Sequence, residues 1–108
     1  MKIIFADKEL ADLYEGKSTK RKGWKSNPGM VKQFVKTVTR LASVERIEDL
    51  GNFKGLRYKK LTDDTEGLSA VRINEKFRLH FKEIINAEDP PRVVAIEIRK
   101  ISNHYKTK

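Results

Sequence analysis

From Phe77 to Lys82 the chain alternates without a break: Phe77, Leu79 and Phe81 are aromatic or aliphatic, while Arg78, His80 and Lys82 are basic. Successive side chains of a strand point to opposite faces, so this spacing predicts a strand with one face packed on a core and the other carrying cations. The apolar face needs a covering layer, and the rest of the chain supplies helical patterns that can form it.

The first five residues contain a short apolar run, predicting a strand over residues 2–5. Asp7 then precedes Leu10, Leu13 and Tyr14 at helical spacing, which predicts a helix with an acidic cap or first turn, ending near Gly16. Asn27-Pro28 provides a cap with proline in the first turn, and Met30, Val31, Phe34, Val38, Leu41 and Ala42 recur three or four residues apart. This predicts a second helix over residues 28–43, with Ile47 and Leu50 forming a further short turn.

Beyond Gly51 the period changes. Residues 56–61 and 68–73 read as strands separated by a polar, acidic turn, and Asn74-Glu75 turns the chain again. After the alternating strand and a loop with Pro90-Pro91, residues 92–101 form a long β-branched strand. The predicted order is βααββββ, an α+β fold with two N-terminal helices on a mainly antiparallel sheet.

A chain of 108 residues, 38% hydrophobic, suits a single domain with one core. Cysteine is absent, which excludes disulfides, thiolate metal sites and a cysteine nucleophile, and two histidines are too few for a His-rich metal cluster. There is no phosphate-binding glycine loop and no nucleophile elbow. The N-terminus turns polar and acidic after five residues and no apolar run could span a bilayer, so the expected location is the cytoplasm. With 24 Lys and Arg against 15 Asp and Glu, the net charge of +9 attracts polyanions, either nucleic acid or an acidic protein. Charge alone does not separate an RNA-binding protein from a merely basic one.

Several stretches, taken together and in order, are similar to the HigB-like toxins of the RelE/ParE superfamily, also called plasmid-maintenance killer proteins. They are Gly55-Leu56-Arg57 with Leu61, Gly67-Leu68-Ser69-Ala70-Val71-Arg72-Ile73-Asn74, and Phe77-Arg78-Leu79-His80-Phe81, with Asp7-Lys8-Glu9-Leu10 and the helix opening at Pro28 before them. The similarity spans nearly the whole chain. The block from Ser69 to Asn74 followed by the aromatic-arginine pair is its most specific part.

The resemblance implies the toxin of a type II toxin-antitoxin system, neutralised by a cognate helix-turn-helix antitoxin that also carries the complex to operator DNA. The free toxin would enter the ribosomal A site and cut mRNA without a metal or organic cofactor. Such a cut requires a 2′-hydroxyl to lose its proton and attack the adjacent phosphate, charge stabilisation on the phosphoryl oxygens, and protonation of the departing 5′-oxygen. Arg78 matches the family's arginine after the aromatic and is the expected phosphate clamp, since a guanidinium engages phosphate oxygens bidentately and stays charged. As a plain surface cation it would instead pair with an acid such as Glu97.

His104 stands where the family carries a C-terminal histidine and is the expected general acid or base; near a terminus it is also an ordinary surface residue. Tyr105 could stack on a base, share the proton work or pack the last turn. The family's histidine after the Gly-Leu-Arg segment aligns with Lys59, and its Asp-Tyr pair aligns with Ser102-Asn103, so the catalytic set is not reproduced in full. Lys59 or Lys60 could stabilise charge in its place. His80 is read as a structural hydrogen-bonding residue.

The segment with Lys17, Lys20, Arg21, Lys22, Trp24 and Lys25 contains no acid, and would grip ribosomal RNA, stay solvated or meet the antitoxin. Two rival functions remain: a ParE-like toxin of the same architecture acting on DNA gyrase, and a decayed relative that binds its antitoxin or nucleic acid without chemistry.

Overall fold

Local capping chemistry delimits the two helices of the computed structural model, which describes residues 1–17, 27–62 and 64–103. Strand β1, Lys2–Phe5, gives way to Asp7, whose carboxylate accepts the Leu10 N–H at 2.8 Å and opens helix α1, Lys8–Glu15. Gly16, at φ +80°, ends α1 in the left-handed conformation that glycine adopts without strain. Asn27 accepts the Met30 N–H at 3.2 Å, and Pro28 begins helix α2, Pro28–Ser43. Its buried face is Met30, Phe34, Val38 and Leu41 with Thr37, whose hydroxyl donates back to the Gln33 carbonyl.

Two 3-10 turns follow, at Ile47–Asn52 and Lys54–Leu56, burying Leu50 and Leu56. The strand expected over residues 56–61 is cut to β2, Lys59–Lys60. Leu56 enters the core from a turn, and Arg57 follows it at φ +50°, a left-handed geometry incompatible with an extended strand. Strand β3 is Ser69–Arg72, β4 is Phe77–Ile85 and β5 is Val93–Asn103.

These strands form one mixed sheet in the order β1-β5-β4-β3-β2, with β1 parallel to β5 and the other neighbours antiparallel. The α+β class therefore holds. Leu79 and Phe81 are fully buried, and with Val71, Ile73, Ile96 and Ile98 they meet Leu10, Leu13, Phe34, Val38 and Leu41 of the helices in one core. The opposite face of the sheet carries Arg72, Arg78, His80 and Lys100. Among the described residues no helix is long and apolar enough to cross a membrane.

Candidate functional site

Register puts the cations of the open face beside one another. Arg78 of β4 pairs with Arg72 of β3 on one side and with Ser102 of β5 on the other. Residues directly opposite in an antiparallel pair have side chains about 5 Å apart at Cβ, on the same face. Arg57, at the left-handed corner before β2, completes the group, and its charge reaches Arg78. Burial, then repulsion from Arg72 and Arg57, lower the pKa of Arg78. A guanidinium nonetheless stays protonated at physiological pH, so the strain is electrostatic rather than a loss of charge.

What holds Arg78 is backbone. Its Nη1 donates to the Asn74 carbonyl at 3.2 Å. Asn74 is fixed in turn: its Oδ1 accepts the N–H groups of Lys76 and Phe77, and its Nδ2 donates to Gln33 of α2. The tight turn that aims Arg78 is thus tied to the helix layer.

Among the described residues Arg78 and Arg57 have no carboxylate partner, and Arg72 reaches only the highly exposed Glu75, at 3.9 Å. Glu97, the acid expected to pair with Arg78 if it were an ordinary surface cation, pairs with Arg99 at 3.0 Å. Three adjacent guanidinium groups whose one carboxylate contact among the described residues is the long, exposed pair of Arg72 with Glu75 can bind a phosphodiester and stabilise charge that builds on its oxygens.

Next along β4, His80 pairs with Lys100 and with Ala70, and Ala70 pairs with Lys59. Lys59 is exposed and joins this row of the open face. The His80 Nε2 lies 3.0 Å from the Ser102 hydroxyl. Its Nδ1 is buried and has no hydrogen-bond partner among the described residues. Burial and the Lys100 charge lower the imidazole pKa against the opposing pull of Asp64, so the ring is neutral at pH 7.

Lys60 takes the other direction. It pairs with the buried Ser69 and donates to Glu83 at 2.9 Å, on the helix side of the sheet. Glu83 also accepts the hydroxyls of Ser69, at 2.7 Å, and Tyr58. Burial alone would raise the carboxyl pKa, but the bonds from Tyr58, Ser69 and Lys60 together hold it below the usual range. Tyr58 is pushed up to about 12 by burial and by this bond. The two adjacent lysines are therefore not interchangeable: Lys59 is exposed with no ion pair among the described residues, and Lys60 is part of the scaffold.

Of the sequence-predicted site residues, Arg78 and Lys59 share the open face. Lys17 follows α1 on the helix layer and pairs with Glu15 at 3.1 Å. Lys20, Arg21, Lys22, Trp24, Lys25, His104 and Tyr105 lie outside the described residues. Sequence reasoning assigned no role to Arg57 or Arg72, although both stand inside the stretches that carry the resemblance. Strand register joins Arg72 to Arg78, and the left-handed corner before β2 brings Arg57 near them. A group of three histidine, aspartate or glutamate side chains able to hold a metal does not occur among the described residues.

A cavity of about 480 Å³ opens between Met1, Glu45, Ile47 and the start of β5 at Val93 and Val94. It lies some eight residues along β5 from Ser102, roughly 25 Å at strand rise, and its charges are mixed, with Glu45 and Glu48 beside Arg46 and Arg92. The open face with its adjacent arginines is the better candidate site. Comparison of this chain with family models, with curated proteins and with solved structures found no match.

Proposed function

We propose that this protein is the toxin of a type II toxin-antitoxin pair, a HigB-like member of the RelE/ParE superfamily that cuts mRNA in the ribosomal A site. The observation that carries this reading is the cluster of Arg57, Arg72 and Arg78 on the open face of the sheet, in which, among the described residues, Arg57 and Arg78 have no acid partner and Arg72 has only the exposed Glu75. Arg78, at its centre, is also the residue that the resemblance assigns to phosphate stabilisation.

In this reading the cluster holds the scissile phosphate, with Arg78 contributing a planar fork and Lys59 a further positive charge at the edge. His104 and Tyr105 contribute to proton transfer or base stacking. The basic segment from Lys17 to Lys25 grips ribosomal RNA, and the cytoplasmic partners are the ribosome, its mRNA and a helix-turn-helix antitoxin that takes the pair to operator DNA.

The test is induction without the antitoxin, followed by single-turnover cleavage of a defined A-site mRNA on purified ribosomes. Growth arrest with a discrete cut in the A-site codon is expected. Soluble protein that accumulates while growth and messages stay intact would sink the toxin reading. Growth arrest with uncut mRNA and inhibited gyrase supercoiling would replace it with the ParE-like alternative.

A further inference from the structure

A histidine kept for structure uses both ring nitrogens, because a buried polar atom without a partner costs about 1–3 kcal/mol. His80 does not fit that pattern: only its Nε2 is bonded, and its Nδ1 is buried with no partner among the described residues. The bond it does make goes to the hydroxyl of Ser102, which faces Arg78 across β4 and β5. A base, a hydroxyl and the phosphate-binding arginine thus stand in sequence on one face.

Resting on the endonuclease reading above, we propose that Ser102 and His80 form the proton relay that activates the 2′-hydroxyl of bound RNA, Ser102 facing the substrate and His80 standing behind it. The position that lacks the family's histidine, Lys59, lies in the same cross-strand row as His80, two strands away. The relay therefore supplies an imidazole to the same face from a different strand.

The 2′-hydroxyl proton moves to the Ser102 oxygen while the Ser102 proton moves to His80 Nε2. The 2′-oxygen bonds to phosphorus, and the bond from phosphorus to the 5′-oxygen breaks, its electron pair leaving on that oxygen, which takes a proton from water. The products are a 2′,3′-cyclic phosphate and a 5′-hydroxyl, and the imidazolium returns its proton to solvent.

The charged groups around His80 are Lys59 of β2, Arg72 of β3, Arg78 and Lys82 of β4, Lys100 of β5, and Asp64 in the turn between β2 and β3. Five of these six are cations and Asp64 is the one acid; burial first, then the Lys100 charge, lower the imidazole pKa, so the ring can accept a proton near neutrality.

Single-turnover cleavage on ribosomes, followed across pH, tests the relay in the full-length protein. Ser102→Ala and His80→Gln should each slow cleavage by about 100- to 10000-fold with ribosome affinity retained. The double variant should be no slower than the worse single one. Ser102→Thr, which keeps the hydroxyl, should retain most of the rate. The wild-type rate should rise with pH through an inflection below that of free imidazole, and the inflection should vanish in His80→Gln.

If His80→Gln and Ser102→Ala, each shown folded by its melting curve, cleave within twofold of wild type with the inflection intact while Arg78→Ala does not cleave, the relay is wrong and the endonuclease reading stands. If the wild type itself leaves A-site mRNA uncut, both fall together.

Discussion

Arg78 and Glu83 stand five residues apart on β4, both partly withdrawn from water, on opposite faces of the sheet. Glu83 is surrounded by three donors, from Tyr58, Ser69 and Lys60, which pin the short strand β2 to the middle of the sheet. Arg78 is surrounded by its own kind, Arg72 and Arg57, and among the described residues bonds only to backbone carbonyls. A charge that is satisfied internally holds the fold, whereas charges that repel one another are tolerated where a ligand supplies the missing sign. The helix side of β4 thus carries a charge satisfied within the fold, and the open side carries charges that repel one another.

The largest effect that could break this contrast is on activity. Arg78→Ala should lower single-turnover cleavage by roughly 100- to 1000-fold while the melting temperature stays close to wild type. Arg78→Lys should recover only part of the loss, because an ammonium lacks the fork. An unfolded Arg78→Ala variant would mean that the arginine is structural and that the two ends of β4 do not differ as described.

Glu83 predicts the reverse pairing of effects. Its side chain is 6% exposed, and hydrogen bonds to a charged acceptor contribute more than neutral ones. Glu83→Gln should cost about 2 kcal/mol, a fall of roughly 10 °C in Tm, with cleavage per folded molecule unchanged. A melting curve that does not move would show that the three donors are satisfied equally well by water.

Arg57 sharpens the contrast because it carries both a charge and a strained backbone. Arg57→Gly removes the left-handed penalty, about 1–2 kcal/mol, at an entropic cost of roughly 0.5–1 kcal/mol in the unfolded chain. A small net gain in Tm is expected together with weaker ribosome binding and a salt slope reduced by about one. Lower stability with unchanged binding would remove Arg57 from the cluster.

The smallest effect is on the pH dependence of stability. His80 and Glu83 both have folded pKa values below their ordinary ones, so the unfolded chain binds more protons in each window and stability rises with pH. The His80 contribution is complete above the ordinary imidazole value and is lost as pH falls through the folded value. The Glu83 contribution is complete above the ordinary carboxyl value and is lost at still lower pH. His80→Gln should flatten the upper limb of a Tm-against-pH curve and Glu83→Gln the lower limb. A limb unchanged by its own substitution would reassign that titration.

The helices were legible because their signals are local. Asp7, Gly16, Asn27 and Pro28 act on backbone groups within a few residues, and the bounds of α1 and α2 follow them. The strands were legible only as far as polarity alternates. The pattern breaks at Glu83, an acid facing inward, and so β4 was expected to stop before Ile85. That acid is tolerated because Tyr58, Ser69 and Lys60 converge on it from three other places in the chain. Likewise Leu56 was recognisable as apolar, but a 3-10 turn and the left-handed Arg57 bring it to the core.

Caps and side-chain period depend on near neighbours, which is why the two capped helices, the apolar face of β4 and the cationic character of its other face are written in local order. Which cations meet depends instead on long-range packing. Arg57 comes from the turn before β2, whereas Arg72, Arg78 and Ser102 of three strands share one patch because buried Val71, Leu79 and Phe81 set the strand register. A slip of one residue would turn every one of those side chains to the wrong face, so core packing selects the site as strictly as it selects the fold.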